Sequence, residues 1–114
     1  MQEQWKVWGA RLMGLAQGGL YYGPKNETFR ADMRRVCEIA REMQDRAEDW
    51  EPEQQQAWGV EIHRISDVSL VRDLINDQYD LNRCLGLREI AEEMEEEVPL
   101  RAWNEWKLRS QRNK

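Results

Sequence analysis

Phe29, Met33, Val36, Ala40, Met43, Ala47 and Trp50 follow one another at alternating steps of four and three residues over three heptads. That spacing puts all seven on one stripe of a helix, and it is incompatible with a strand, whose side chains change face at every residue. The stripe is a narrow apolar seam that one helix cannot hide from water. It therefore demands an antiparallel neighbour in the same chain or a coiled coil with another chain. Asn26 or Thr28 can cap the amino end of this helix, and Glu27 suits the positive end of its dipole. Pro52 restricts the residue before it and stops the helix by Glu51. No other stretch alternates with period two for long, so the chain reads as all-α.

The remaining elements follow from the same periodicity. Trp5, Trp8, Leu12 and Leu15 share a face of a first helix over about residues 2–17. Gly18 and Gly19 are expected to end it, Leu20, Tyr21 and Tyr22 to form the connection, and Gly23-Pro24 to turn the chain. Pro52 fits the first turn of a third helix carrying Trp58, Ile62 and Ile65, with a break or a new cap at Ser66 or Asp67. A fourth helix over about 67–79 would use Val68, Val71, Leu74, Ile75 and Gln78. A fifth over about 82–96 would use Leu87, Ala91, Met94 and Val98. Pro99 would open a last helix with Leu100, Trp103, Trp106 and the stem of Lys107. The expected architecture is a compact bundle of five or six helices built on an N-terminal helical hairpin. It forms one domain over 1–114, with the hairpin in 1–50, further helices in 51–98 and a C-terminal helix with a basic tail in 99–114.

Charge and composition exclude several functions. A net charge of -5 opposes general affinity for nucleic acid or an anionic membrane. No apolar run approaches the roughly 20 residues that cross a bilayer. The amino terminus lacks the apolar core of a secretory signal, which makes cytoplasm the expected compartment. Cys37 and Cys84 are far apart and fall at apolar helix positions, as buried free thiols do. An acidic run at Glu92, Glu93, Glu95, Glu96 and Glu97 precedes a tail made basic by Arg101, Lys107, Arg109, Arg112 and Lys114. Any basic-tail contact with nucleic acid would be opposed by that acidic run. Six Trp, at positions 5, 8, 50, 58, 103 and 106, stand near helix ends, where they can staple a small core or anchor a partner.

Catalytic groupings are thin. His63 is the single histidine, between Ile62 and Ile65, which leaves little for a histidine metal site or a Cys-His pair. Neither a phosphate-cradling glycine loop nor a dinucleotide fingerprint occurs.

The run Ala16, Gln17, Gly18, Gly19, Leu20, Tyr21, Tyr22 follows a Trp-containing helix with Arg11, Leu12 and Leu15 upstream. Arg30, Glu38, Ala40, Glu42 and Met43 lie downstream. Together Trp5 to Met43 resemble the helical segment found in front of the catalytic domain in some Nudix hydrolases, which cut nucleoside diphosphates linked to a second group. The resemblance implies a helical hairpin and a connection with nucleotide conjugates. Nudix catalysis also needs a strand-rich core and a box ending in Arg-Glu-apolar-x-Glu-Glu-x-Gly, whose carboxylates hold magnesium. Arg88, Glu89, Ile90, Ala91, Glu92, Glu93 and Met94 match that ending in part. Glu95 stands where the glycine belongs, Asp80 where a glutamate would precede Glu89 by nine residues, and Leu74 where an earlier glycine is needed. No strands are expected around the helix, so the Nudix catalytic domain is absent from this reading. Neither an enzyme, a cofactor nor a metal is expected.

Two classes of function then compete. The first is a non-catalytic interaction module that self-associates into an oligomer or binds another protein. Its candidate interface is Met33, Val36, Ala40, Met43, Trp103 and Trp106. The second is a nucleotide-binding module in which Trp5, Trp8, Tyr21 and Tyr22 could stack on a base while Arg11, Lys25, Arg30 or Arg34 could meet phosphates, with Gln17 beside them.

Overall fold

A computed structural model describes residues 2–71, 78–96 and 107–109. Among these the elements are α1 (Gln2–Tyr22), α2 (Glu27–Asp45), a 3-10 turn (Ala47–Asp49), α3 (Pro52–Val71) and α4 (Gln78–Glu96). The chain is an all-α bundle, as the periodicity requires, and measures 22 × 20 Å across, two helices by two. α1 packs antiparallel on α2 and α3 on α4, and the two hairpins meet chiefly through α1 and α4. The expected hairpin in the first 50 residues is therefore the α1–α2 pair.

Several helix boundaries differ from expectation. α1 continues through Gly18 and Gly19 to Tyr22. These glycines serve packing: a Cβ at Gly19 would lie 3.1 Å from the Met33 sulfur, and one at Gly18 would lie 3.1 Å from Arg83 Nε. The chain leaves the helix at Gly23, whose N–H donates to the Gly19 carbonyl at 2.9 Å. A side chain there would come within 2.3 Å of that carbonyl oxygen, so glycine is sterically required. The break expected at Ser66 or Asp67 is also absent, and α3 runs through both. The Ser66 hydroxyl donates to the His63 carbonyl at 2.8 Å and so is satisfied inside the helix it was expected to interrupt. The described start of the expected fourth helix, residues 67–71, is thereby the end of α3, and Gln78 and Tyr79 belong to α4. Leu74, Ile75, Leu100, Trp103 and Trp106 lie outside the described residues, whereas Lys107 is exposed in a short helical stretch.

α2 follows its seam only as far as Met43: the helix ends at Asp45, so Ala47 falls in the 3-10 turn and Trp50 after it, both still buried. Asn26 caps α2, its side-chain oxygen accepting from the backbone N–H of Thr28 at 2.9 Å and Phe29 at 3.1 Å. Phe29, Met33, Val36, Ile39, Ala40 and Met43 are buried, chiefly against α1. At the opposite end of the bundle Trp5, Trp8, Trp50 and Trp58 are all buried. The Trp5 and Trp58 rings lie 5.1 Å apart at 57°. Gln55, itself fully buried, connects this end: its Oε1 accepts from Trp5 Nε1 at 2.8 Å and from Trp50 Nε1 at 2.7 Å, and its Nε2 donates to the Met94 carbonyl at 3.0 Å. One amide thus joins α1, the segment after α2, α3 and α4.

Candidate functional site

The structure separates the candidate ligand residues into two groups. Trp8 is buried, and its indole N–H donates to Glu93 Oε2 at 2.9 Å. Arg11, one turn further on, approaches the same carboxylate oxygen at 3.9 Å. Tyr21, Tyr22, Gln17 and Lys25 are exposed toward the other end of α1, where the chain turns into α2. Fourteen residues of helix put Trp8 and Tyr22 about 21 Å apart along the axis, so they cannot grip one base between them. Arg30 is engaged as well: its Nη1 donates to the Leu20 carbonyl at 2.9 Å and closes the last turn of α1. Arg34 pairs with Glu27 at 2.5 Å.

The proposed interface on α2 requires correction. Met33, Val36, Ala40 and Met43 are at most 1% exposed. The seam finds its partner within the chain, because α1 supplies the antiparallel surface that Trp5, Trp8, Leu12 and Ala16 make apolar. It offers nothing to a second molecule unless the bundle opens. Trp103 and Trp106 fall outside the described residues.

The charged residues of α3 and α4 are spread among separate partners. In the Nudix-like run, Arg88 reaches Glu92 at 3.2 Å and Asp67 at 3.6 Å, Glu93 faces Trp8 and Arg11, and Glu89 is exposed. Among the described residues no group of three His, Cys, Asp or Glu side chains is arranged to hold a metal ion. His63 bridges α3 to α4, its Nδ1 lying 3.1 Å from Glu95 and its Nε2 3.6 Å from Asp67. Arg35 and Glu61 make the link between α2 and α3, with Nε–Oε2 at 2.5 Å and Nη2–Oε1 at 3.1 Å. The hydrogen bond from Arg35 holds the Glu61 carboxyl below its usual range, and the same bond pushes the Arg35 guanidinium further up. Burial, assisted by Asp80, pushes the Cys84 thiol up to about 11, and burial also raises Cys37. Both cysteines are free, as expected, but only Cys84 is buried; Cys37 is partly exposed.

What the fold leaves outside is more informative. The core-facing side of α1 is Trp5, Trp8, Leu12 and Ala16; directly opposite run Val7, Ala10, Gly14, Gln17 and Tyr21, all exposed. The five positions of this stripe carry no charged side chain, although 34% of the chain is charged; exposed Lys6 and Arg11 border it. Val7 is 49% and Tyr21 86% exposed. A Cβ added at Gly14 would meet nothing within 4 Å, so the glycine relieves no contact inside the fold. In mid-helix it nonetheless weakens α1 by about 1 kcal/mol relative to alanine. At the turn end Tyr22 is 73% exposed and meets the Tyr21 ring at a centroid distance of 5.6 Å. The Arg83 guanidinium lies 5.8 Å from the Tyr22 ring centre while also pairing with Asp80. Leu15 over Gly86 and Gly18 against Arg83 define the α1–α4 register. That register places Tyr79, 75% exposed, level with Tyr22.

Sequence reasoning singled out Gln17, Tyr21 and Tyr22 here but missed Val7, Gly14, Tyr79 and Arg83. The absence of charge from one stripe of α1 was a signal open to it. The pairing of Tyr22 with α4 was not. Compared with models of known families, with curated proteins and with solved structures, the chain matches none.

Proposed function

We propose that this chain is a non-catalytic helical interaction module that binds protein through the outer face of α1 and the tyrosines at its end. The observation that carries this reading is the exposed, uncharged stripe from Val7 to Tyr21. Its own positions carry no ion, exposed Lys6 and Arg11 standing at its edges, and its large tyrosine ring supplies apolar area together with a polar tip. The nucleotide alternative is weaker, since Arg30 and Arg34 are committed to Leu20 and Glu27 and Trp8 is inside the bundle. The resemblance to the Nudix N-terminal segment fits this proposal as shared hairpin architecture, with the Ala16–Tyr22 run at the turn.

A photo-crosslinking side chain at Gln17, in the full chain expressed in cells, tests it. A protein adduct should form from Gln17, weaken when Tyr21→Glu is added, and be absent when the same group replaces exposed Glu53 on α3. Equal adducts from both positions, or none from Gln17, would discard the outer face of α1 as the binding surface.

A further inference from the structure

The outer stripe of α1 has a symmetry that selects its occupant. Counted from Gly14, Val7 and Tyr21 stand seven residues away on either side. Exposed Glu3 and exposed Lys25 stand eleven residues away, with Lys25 just past the helix end. Two copies of α1 laid antiparallel, Gly14 upon Gly14, bring Val7 of each against Tyr21 of the other. They also bring Glu3 of each copy toward Lys25 of the other. A parallel arrangement would place like charges together at both ends.

We propose that the chain forms a two-fold dimer through an antiparallel crossing of α1 with α1 of a second copy, centred on Gly14. This rests on the reading of α1 as a protein-binding face and names the protein. The contact is isologous and closed, so it produces a dimer and not a filament. Gly14 has a purpose in such a crossing, because the missing side chain lets two backbones approach closely. Nothing within the bundle gives it one. A single helix face with one large tyrosine falls short of the roughly 800 Å² per partner typical of stable complexes. The dimer is accordingly weak, populated at micromolar to millimolar concentration.

Sedimentation equilibrium of the full chain over that range provides the test. The wild type should pass from monomer to dimer as concentration rises. Gly14→Leu should raise the dissociation constant about tenfold or more while leaving helix content and thermal midpoint unreduced, since its side chain points into open solvent in the monomer. Glu3→Lys should weaken the dimer, and combining it with Lys25→Glu should restore it. A wild type that stays monomeric throughout, or a Gly14→Leu variant that dimerises like the wild type, would overturn the proposal. Failure of the charge swap to restore association would overturn the antiparallel crossing on which it depends. The adduct from Gln17 separates the two levels of the argument. Twice the chain mass of 13.7 kDa supports the second copy. A different protein's mass with a monomeric wild type removes the second copy and keeps the binding face. No adduct removes both.

Discussion

At the scale of single residues, Gln55 has the largest consequence for its size. Its amide oxygen uses two lone pairs on two indoles from different segments, and its nitrogen satisfies a carbonyl of α4. Gln55→Leu preserves approximate volume but leaves the Trp5 and Trp50 N–H groups and the Met94 carbonyl without that partner. The expected loss is about 2–4 kcal/mol, because buried unsatisfied groups cost more than the net worth of a hydrogen bond. Urea titration followed by tryptophan fluorescence would measure it; a midpoint equal to the wild type would show that water or other groups replace the amide. Sequence alone gave no reason to single out Gln55 among four neighbouring polar positions, Glu53, Gln54, Gln55 and Gln56. Its role depends on groups 50 residues before it and 39 after it.

At the scale of elements, α2 was the most legible part of the chain and its role the least. The seam and a cap at Asn26 or Thr28 were readable from local spacing, but a seam records only that a partner is needed. Here the partner is α1. Val36→Asp should therefore unfold the protein and not split an assembly, with a cost of about 4 kcal/mol or more for an unpaired buried charge. A folded, helical Val36→Asp monomer by circular dichroism would contradict the packing described here. The α2–α3 contact makes a separate prediction. Glu61 has a folded pKa lowered from 4.5 by its hydrogen bond to Arg35, so its stabilisation is present above that value and is lost as pH falls through the folded one. Glu61→Gln should cost about 1 kcal/mol at neutral pH, as befits a partly exposed pair. The difference from wild type should shrink as pH drops below 4.5; a gap that stays constant to low pH would assign the effect to packing instead of charge.

At the scale of the whole molecule, Trp8 and Arg11 lie at a different level of the bundle from Tyr21, Tyr22 and Lys25, so these candidate ligand groups do not all converge on one nucleotide. Nucleoside diphosphate conjugates, with or without magnesium, should leave the thermal midpoint unchanged. A ligand at 100 times its dissociation constant would add about 2.7 kcal/mol, a shift of several degrees that a melting scan resolves easily. Such a shift, abolished by Tyr22→Ala, would favour nucleotide binding over the protein-binding reading. The amino-acid sequence by itself determined that this chain is all-α, that α2 needs a neighbour and that Asn26 or Thr28 starts it. Those properties arise from spacing and capping within a few turns. Only the tertiary structure decided that α1 is the neighbour, that α3 passes unbroken through Ser66, and that the α2 seam is interior while the outer face of α1 is not. Each helix carries apolar residues on more than one side, and which side meets water is settled when four helices divide a limited interior among them.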